Sequence, residues 1–161
     1  MTRLRFTVGW VIFLGSAAPG AAAERAASSC AATLAPARRF AEPSPSSATH
    51  FWYGDTTLAA LLHTSGTWQG MGPSHKYRNK LFWWRQGYSG VTEPRPELIV
   101  SGRRLDGEAP AATVSRATNA HHKDFGGWAM LVMVEFPTSG CWELTGHYKG
   151  QVTSFVVSVT S

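Results

Sequence analysis

The stretch PTSGCWELTGHYKGQVTSFVVSV, residues 137–159, decides the fold. Trp142, Leu144 and Tyr148 fall on one face of an extended chain, while Cys141, Glu143, Thr145 and His147 fall on the other. That period of two belongs to a strand with one buried side. After Lys149-Gly150 the pattern resumes: Phe155, Val157 and Val159 take the inward positions, and Ser158 and Thr160 the outward ones. Two alternating runs across a short turn predict a β-hairpin.

The same period recurs upstream. In WAMLVMVEF, residues 128–136, Trp128, Met130, Val132, Val134 and Phe136 line one face and Ala129, Leu131 and Met133 the other. A strand apolar on both faces belongs in the middle of a sheet. KLFWWRQGY (80–88), ELIVSGRRL (97–105) and ATVSRAT (112–118) read as further strands, separated by SGVTEPRP and by the turn pair Asp106-Gly107. Phe51 to Tyr53 suits a short strand. Asp55 suits the cap of a short helix, whose Leu58, Leu61 and Leu62 would share a face and which would stop near Ser65-Gly66. About seven short strands punctuated by Gly, Pro and Asp predict an all-β sandwich with one short helix.

The tail FPTSGCWELTGHYKGQVTSFVVSV resembles the final hairpin of bacterial Ig-like sandwiches. More narrowly, it is similar to a group of uncharacterised exported bacterial proteins whose ends run S/A-G-C-W-E-[IVL]-T-G…F-V-V-x-V. Upstream, FWYG, LFWW, RLDG and GGWAMLVMVEFP belong to the same likeness, which covers Phe51 to Val159. The resemblance implies an Ig-like β-sandwich and brings no activity with it. Function must therefore be read from sites.

At the other end, Arg3 and Arg5 precede the apolar run Phe6 to Leu14, and Ala21-Ala22-Ala23 offers an A-x-A cleavage site. This is the layout of a secretory signal peptide over residues 1–23. The run is short for a bilayer span, and no later stretch is long or apolar enough for one. Residues 24–50 are rich in Ala, Ser and Pro and read as an extended arm, leaving residues 51–161 for the sandwich. The expected location is periplasmic or extracellular. The alternative is a lipoprotein anchored through Cys30 of ASSC, with Ala27 where a large aliphatic residue is usual. The formal charge of +5 falls to +3 without Arg3 and Arg5. The basic residues form no large field on a recognisable nucleic-acid module, so no nucleic-acid partner is expected.

The chain has two cysteines, and export would deliver both to an oxidising compartment. Cys141 starts a strand on its outer side, within reach of an arm carrying Cys30, so a Cys30–Cys141 disulfide is expected. A nucleophilic Cys141 would need a base beside it, but His147 stands roughly 20 Å away along an extended strand. A copper site of the Cys…His…Met kind would want a methionine soon after His147, and none follows.

Two further groups are candidate sites. His121, His122 and Asp124 could offer two nitrogens and an oxygen to zinc or copper, provided the loop is irregular; in an extended chain neighbouring histidines point apart. Trp83 and Trp84 are adjacent in a strand and face opposite sides, so one of them, with Arg85, could anchor a protein or glycan. Glu93 and Glu97 flank prolines and suggest only solvation. No paired-carboxylate motif, nucleophile elbow or phosphate loop is present, so no catalytic residue and no cofactor is assigned. Three functions follow: a non-catalytic binding or assembly module at the cell envelope whose partner is another envelope or extracellular protein or a glycan, a periplasmic metal-binding protein, and a small hydrolase with a loop-built site.

Overall fold

The computed structural model describes residues 30–36, 47–75, 77–122 and 127–160. The leader read from the sequence, residues 1–23, lies outside the described residues. Among the described residues nine strands form two antiparallel sheets: β1 His50–Gly54, β2 Ala59–His63, β3 Arg78–Trp84, β4 Ile99–Arg104, β5 Thr113–Val114, β6 Thr118–His122, β7 Gly127–Glu135, β8 Gly140–Tyr148 and β9 Gln151–Val159. The larger sheet runs β1-β2-β3-β7-β5, with β6 also paired to β7; the smaller runs β4-β8-β9. This is the expected sandwich.

The alternations read in the sequence set the layers. Met130, Val132 and Val134 of β7, Leu81 and Trp83 of β3, Trp142, Leu144 and Tyr148 of β8, and Phe155, Val157 and Val159 of β9 meet in one core between the sheets. As expected of a doubly apolar strand, β7 is interior to its sheet, with β3 on one side and β5 and β6 on the other. A smaller cluster of Trp52, Ala59 and Trp84, with Leu61 and Phe82 packed against it, is separate from that core.

The closing hairpin pairs without interruption from Gly140↔Val159 to Tyr148↔Gln151. Its two-residue turn has φ of 48° at Lys149 and 80° at Gly150. Both positive values match a primed turn, which follows the right-handed strand twist.

Two expectations need correction. Among the described residues there is no α-helix, only a 3-10 turn at Pro73–His75. The segment expected to be helical closes a β1–β2 hairpin instead. Asp55 does cap, but its carboxylate accepts from Thr57 N–H at 2.7 Å, the Thr57 hydroxyl at 2.5 Å and Leu58 N–H at 3.3 Å, which fixes a turn. Leu58, Leu61 and Leu62 fit helical spacing, yet they also suit a strand buried on both sides, with Ala60 and Leu62 in the main core and Leu61 against the second cluster. Residues 112–118 likewise form two strands rather than one. The pairing with β7 slips by one residue between Val114↔Val134 and Thr118↔Leu131, a β-bulge. Ser115 bridges it, donating its N–H to Met133 O and accepting Met133 N–H at Oγ, both at 2.9 Å.

Candidate functional site

Cys30 and Cys141 are bonded, with S–S 2.06 Å and Cα–Cα 5.3 Å. Cys141 lies opposite Ser158 on β9, and the arm crosses β9 to reach it. Thr33 N–H donates to Val156 O at 2.8 Å, and Val156 N–H donates back to Thr33 Oγ1 at 3.0 Å. One step along, Trp68 N–H donates to Ser158 O and Ser158 N–H to Gly66 O. The outer edge of β9 is thus sealed by two separate segments, which removes a template for strand addition. Cys141 starts on the outer face as expected, but with the arm over it only 5 % is exposed.

The tryptophan reading is corrected. Trp83 is 0 % and Trp84 9 % exposed, so neither is a surface anchor. Trp83 fills the core between the sheets, and Trp84 packs with Trp52 and Ala59. Arg85 places its guanidinium 5.9 Å from the centre of the Tyr148 ring, a cation–π contact rather than a free docking charge.

The histidine pair is strand, not irregular loop. His121 is opposite Trp128 and packs edge-on against it at 4.8 Å between centroids, while His122 is opposite Gly127. Neighbours in a strand point to opposite faces, so the two imidazoles do not converge on one ion. Asp124 lies outside the described residues. Among the described residues no three His, Cys, Asp or Glu side chains gather as metal ligands.

Two arrangements were missed in the sequence. The first ties the 85–98 loop to one end of the sandwich. Glu93 Oε2 accepts from the Tyr148 hydroxyl at 2.6 Å and from Lys149 Nζ at 2.5 Å. Asn119 Nδ2 donates to Glu93 O at 3.1 Å, and the Tyr88 hydroxyl donates to Asn119 Oδ1. Burial pushes the Glu93 carboxyl up, but the hydrogen bonds from Lys149 and Tyr148 and the Lys149 charge outweigh it and hold the group below its ordinary value. Burial, with Tyr148 and Glu93 nearby, holds the Tyr88 phenol well above its ordinary range. Glu93 is therefore a structural anchor and not merely solvated. Its partners come from two distant segments, Asn119 and Tyr148-Lys149, a grouping that composition and spacing do not signal.

The second is a cleft. Strands β2 and β3 pair only at Ala59↔Trp84 and Ala60↔Trp83, then part. Between them opens a cavity of about 210 Å³, lined among others by His50, His63, Trp68, Lys80, Leu61 and Leu81. His50 and His63 are opposed across β1 and β2, their rings edge to face at 5.3 Å. The missed signal was the hairpin itself: once residues 55–58 are a turn, pairing puts these two histidines side by side.

No protein-family model matches the chain. No curated protein matches it either. Among solved structures, an X-ray structure of a candidate lipoprotein from Bacillus anthracis aligns with 12% sequence identity over 78% of this chain and 88% of that one, with a TM-score of 0.37.

Proposed function

We propose that the chain is a non-catalytic, exported Ig-like domain that serves as a binding or assembly module at the cell envelope. The Cys30–Cys141 bond carries this reading. A disulfide that fastens an arm across a sheet edge persists in an oxidising compartment and not in a reducing cytosol. Among the described residues no helix is long and apolar enough to cross a membrane. Glu93 of the 85–98 loop is engaged by Tyr148, Lys149 and Asn119 in holding the sandwich end together, which favours a rigid scaffold over a reactive centre there. With Trp83 and Trp84 inside, an envelope partner would meet strand edges and loops.

In-cell cross-linking of the tagged chain, followed by fractionation and non-reducing peptide mapping, tests this reading. It expects an envelope or extracellular location, an intact Cys30–Cys141 peptide and a discrete cross-linked protein or glycan. A reduced protein in the cytosol would refute it. A sulfur carrying lipid cannot also form the disulfide, so lipid on Cys30 would replace this reading with membrane anchoring.

A further inference from the structure

The cleft between β2 and β3 has one-sided chemistry. Its ionisable lining is His50, His63 and Lys80, and no carboxylate is among the lining residues. Each histidine has its Nδ1 engaged by its own neighbours. His50 Nδ1 meets the Thr49 hydroxyl at 3.0 Å and the Ser47 hydroxyl at 3.4 Å, and His63 Nδ1 meets the Ser65 hydroxyl at 2.6 Å. The Ser65 main-chain N–H also donates to His63 Nδ1 at 3.3 Å. In the neutral ring that makes Nδ1 the acceptor and leaves the proton on Nε2. His63 then offers its surroundings an N–H donor and not the lone pair a metal ion needs.

Trp68 also lines the cleft, with its ring packed edge-on against Phe136 in the main core. Lys80 brings a fixed positive charge, which repels a cation and attracts an anion. Leu61, Leu62, Leu81 and Val157 form one apolar side of the wall, beside the polar Thr67, Gln69 and Asn79. At about 210 Å³ the space lies below the roughly 300–1,000 Å³ of drug-sized pockets, so the occupant must be small.

We infer that this cleft binds the carboxylate of a small organic acid, with His50, His63 and Lys80 around the oxygens and the leucine wall against the apolar body. Such binding requires no envelope partner, so it stands or falls apart from the assembly reading.

Binding should depend on pH through His50. Its burial, and then the charge of His63, hold its pKa below the ordinary imidazole value. The other ionisable groups lining the cleft, His63 and Lys80, are both basic, so a bound carboxylate is what would favour the His50 imidazolium. The hydroxyls at His50 Nδ1 can accept as well as donate, and the ring can take a second proton without losing them. Ligand binding therefore draws a proton onto His50 and tightens as pH falls, down to the ligand's own carboxyl pKa.

A proton–nitrogen NMR titration of the whole chain with sodium benzoate at about pH 5.8 and pH 7.8 tests this, with inorganic phosphate and zinc chloride as separate probes. Benzoate should saturably shift the Trp68 indole and the amides of His50, His63 and Lys80, with a Kd at least about fivefold lower at the acid pH. Lys80→Ala should weaken binding by about tenfold at either pH. His50→Gln, which keeps a polar side chain on an accessible strand, should flatten the pH dependence. Phosphate binding as tightly as benzoate would overturn the assignment to an acid with an apolar body. Zinc held by His50 and His63, or no saturable benzoate shift in the wild-type chain, would overturn the site; the wild-type titration decides this whether or not any variant folds.

Discussion

Trp83 occupies the space that a side chain at residue 146 would need. An ideal Cβ placed on Gly146 falls 2.3 Å from Trp83 Cη2 and 2.5 Å from Cζ3. The contact crosses the sandwich, from β3 of the larger sheet to β8 of the smaller, so the absence of a side chain at one point in β8 lets a core tryptophan fit.

Gly146→Ala should therefore destabilise the domain by about 2–3 kcal/mol through overpacking. Urea unfolding followed by tryptophan fluorescence measures it. In a Trp83→Leu background, where the ring is gone, the same change should cost much less, and a double-mutant cycle would show the coupling. Additive losses would mean that the backbone moves to relieve the clash.

Trp83→Ala should lose about 3–5 kcal/mol, as expected of a large side chain removed from a packed core. Trp84→Ala should also lower stability, by a smaller amount, because its cluster is only a few side chains wide. Thermal melts of the two variants check the order. A variant that loses partner capture while keeping its melting temperature would restore these tryptophans as surface anchors.

Cys30→Ser with Cys141→Ser should destabilise by up to about 4–5 kcal/mol, the chain-entropy value for a closed loop of this length. Chemical denaturation of oxidised protein against the double variant measures it. The edge of β9 should also become accessible where Thr33 now covers it, which faster amide exchange at Val156 would report.

Glu93 gives the fold a defined acid sensitivity. Its folded pKa lies below its ordinary value of 4.5. The stability it contributes is thus fully present above about pH 4.5 and is lost as pH falls through the lower folded value. Glu93→Gln should cost about 1–2 kcal/mol at neutral pH and nearly nothing once the wild-type carboxylate is protonated. Denaturation midpoints of both proteins between about pH 2 and pH 7 should converge at the acid end.

The readable part of this fold was the part governed by nearest neighbours along the chain. Alternation in residues 128–136 and 141–159 placed β7 in mid-sheet and closed the last hairpin, because a one-residue slip there would turn every core side chain outward. Local patterns failed where two structures satisfied the same pattern. Asp55 and the spacing of Leu58, Leu61 and Leu62 serve a helix cap and amphipathic turn, or a tight turn and a strand buried on both sides; pairing with β1 and β3 decided it. That error hid the cleft, since His50 and His63 become neighbours only in the hairpin. The tie at Glu93 was hidden for another reason: its partners, Asn119, Tyr148 and Lys149, lie 26 to 56 residues away, and only the assembled sandwich brings them together.

The bond between Cys30 and Cys141 spans 111 residues of sequence, which orders events in time as well as space. A chain made or threaded from its N-terminus presents Cys30 early, and that thiol must wait until β8 has followed. During the wait the hydrogen bonds between Thr33 and Val156 are missing too, because β9 emerges later still. Oxidation of this pair is thus a late step: a chain cut short before β8 keeps Cys30 without a cysteine partner of its own, whereas a chain that has made β8 can close it.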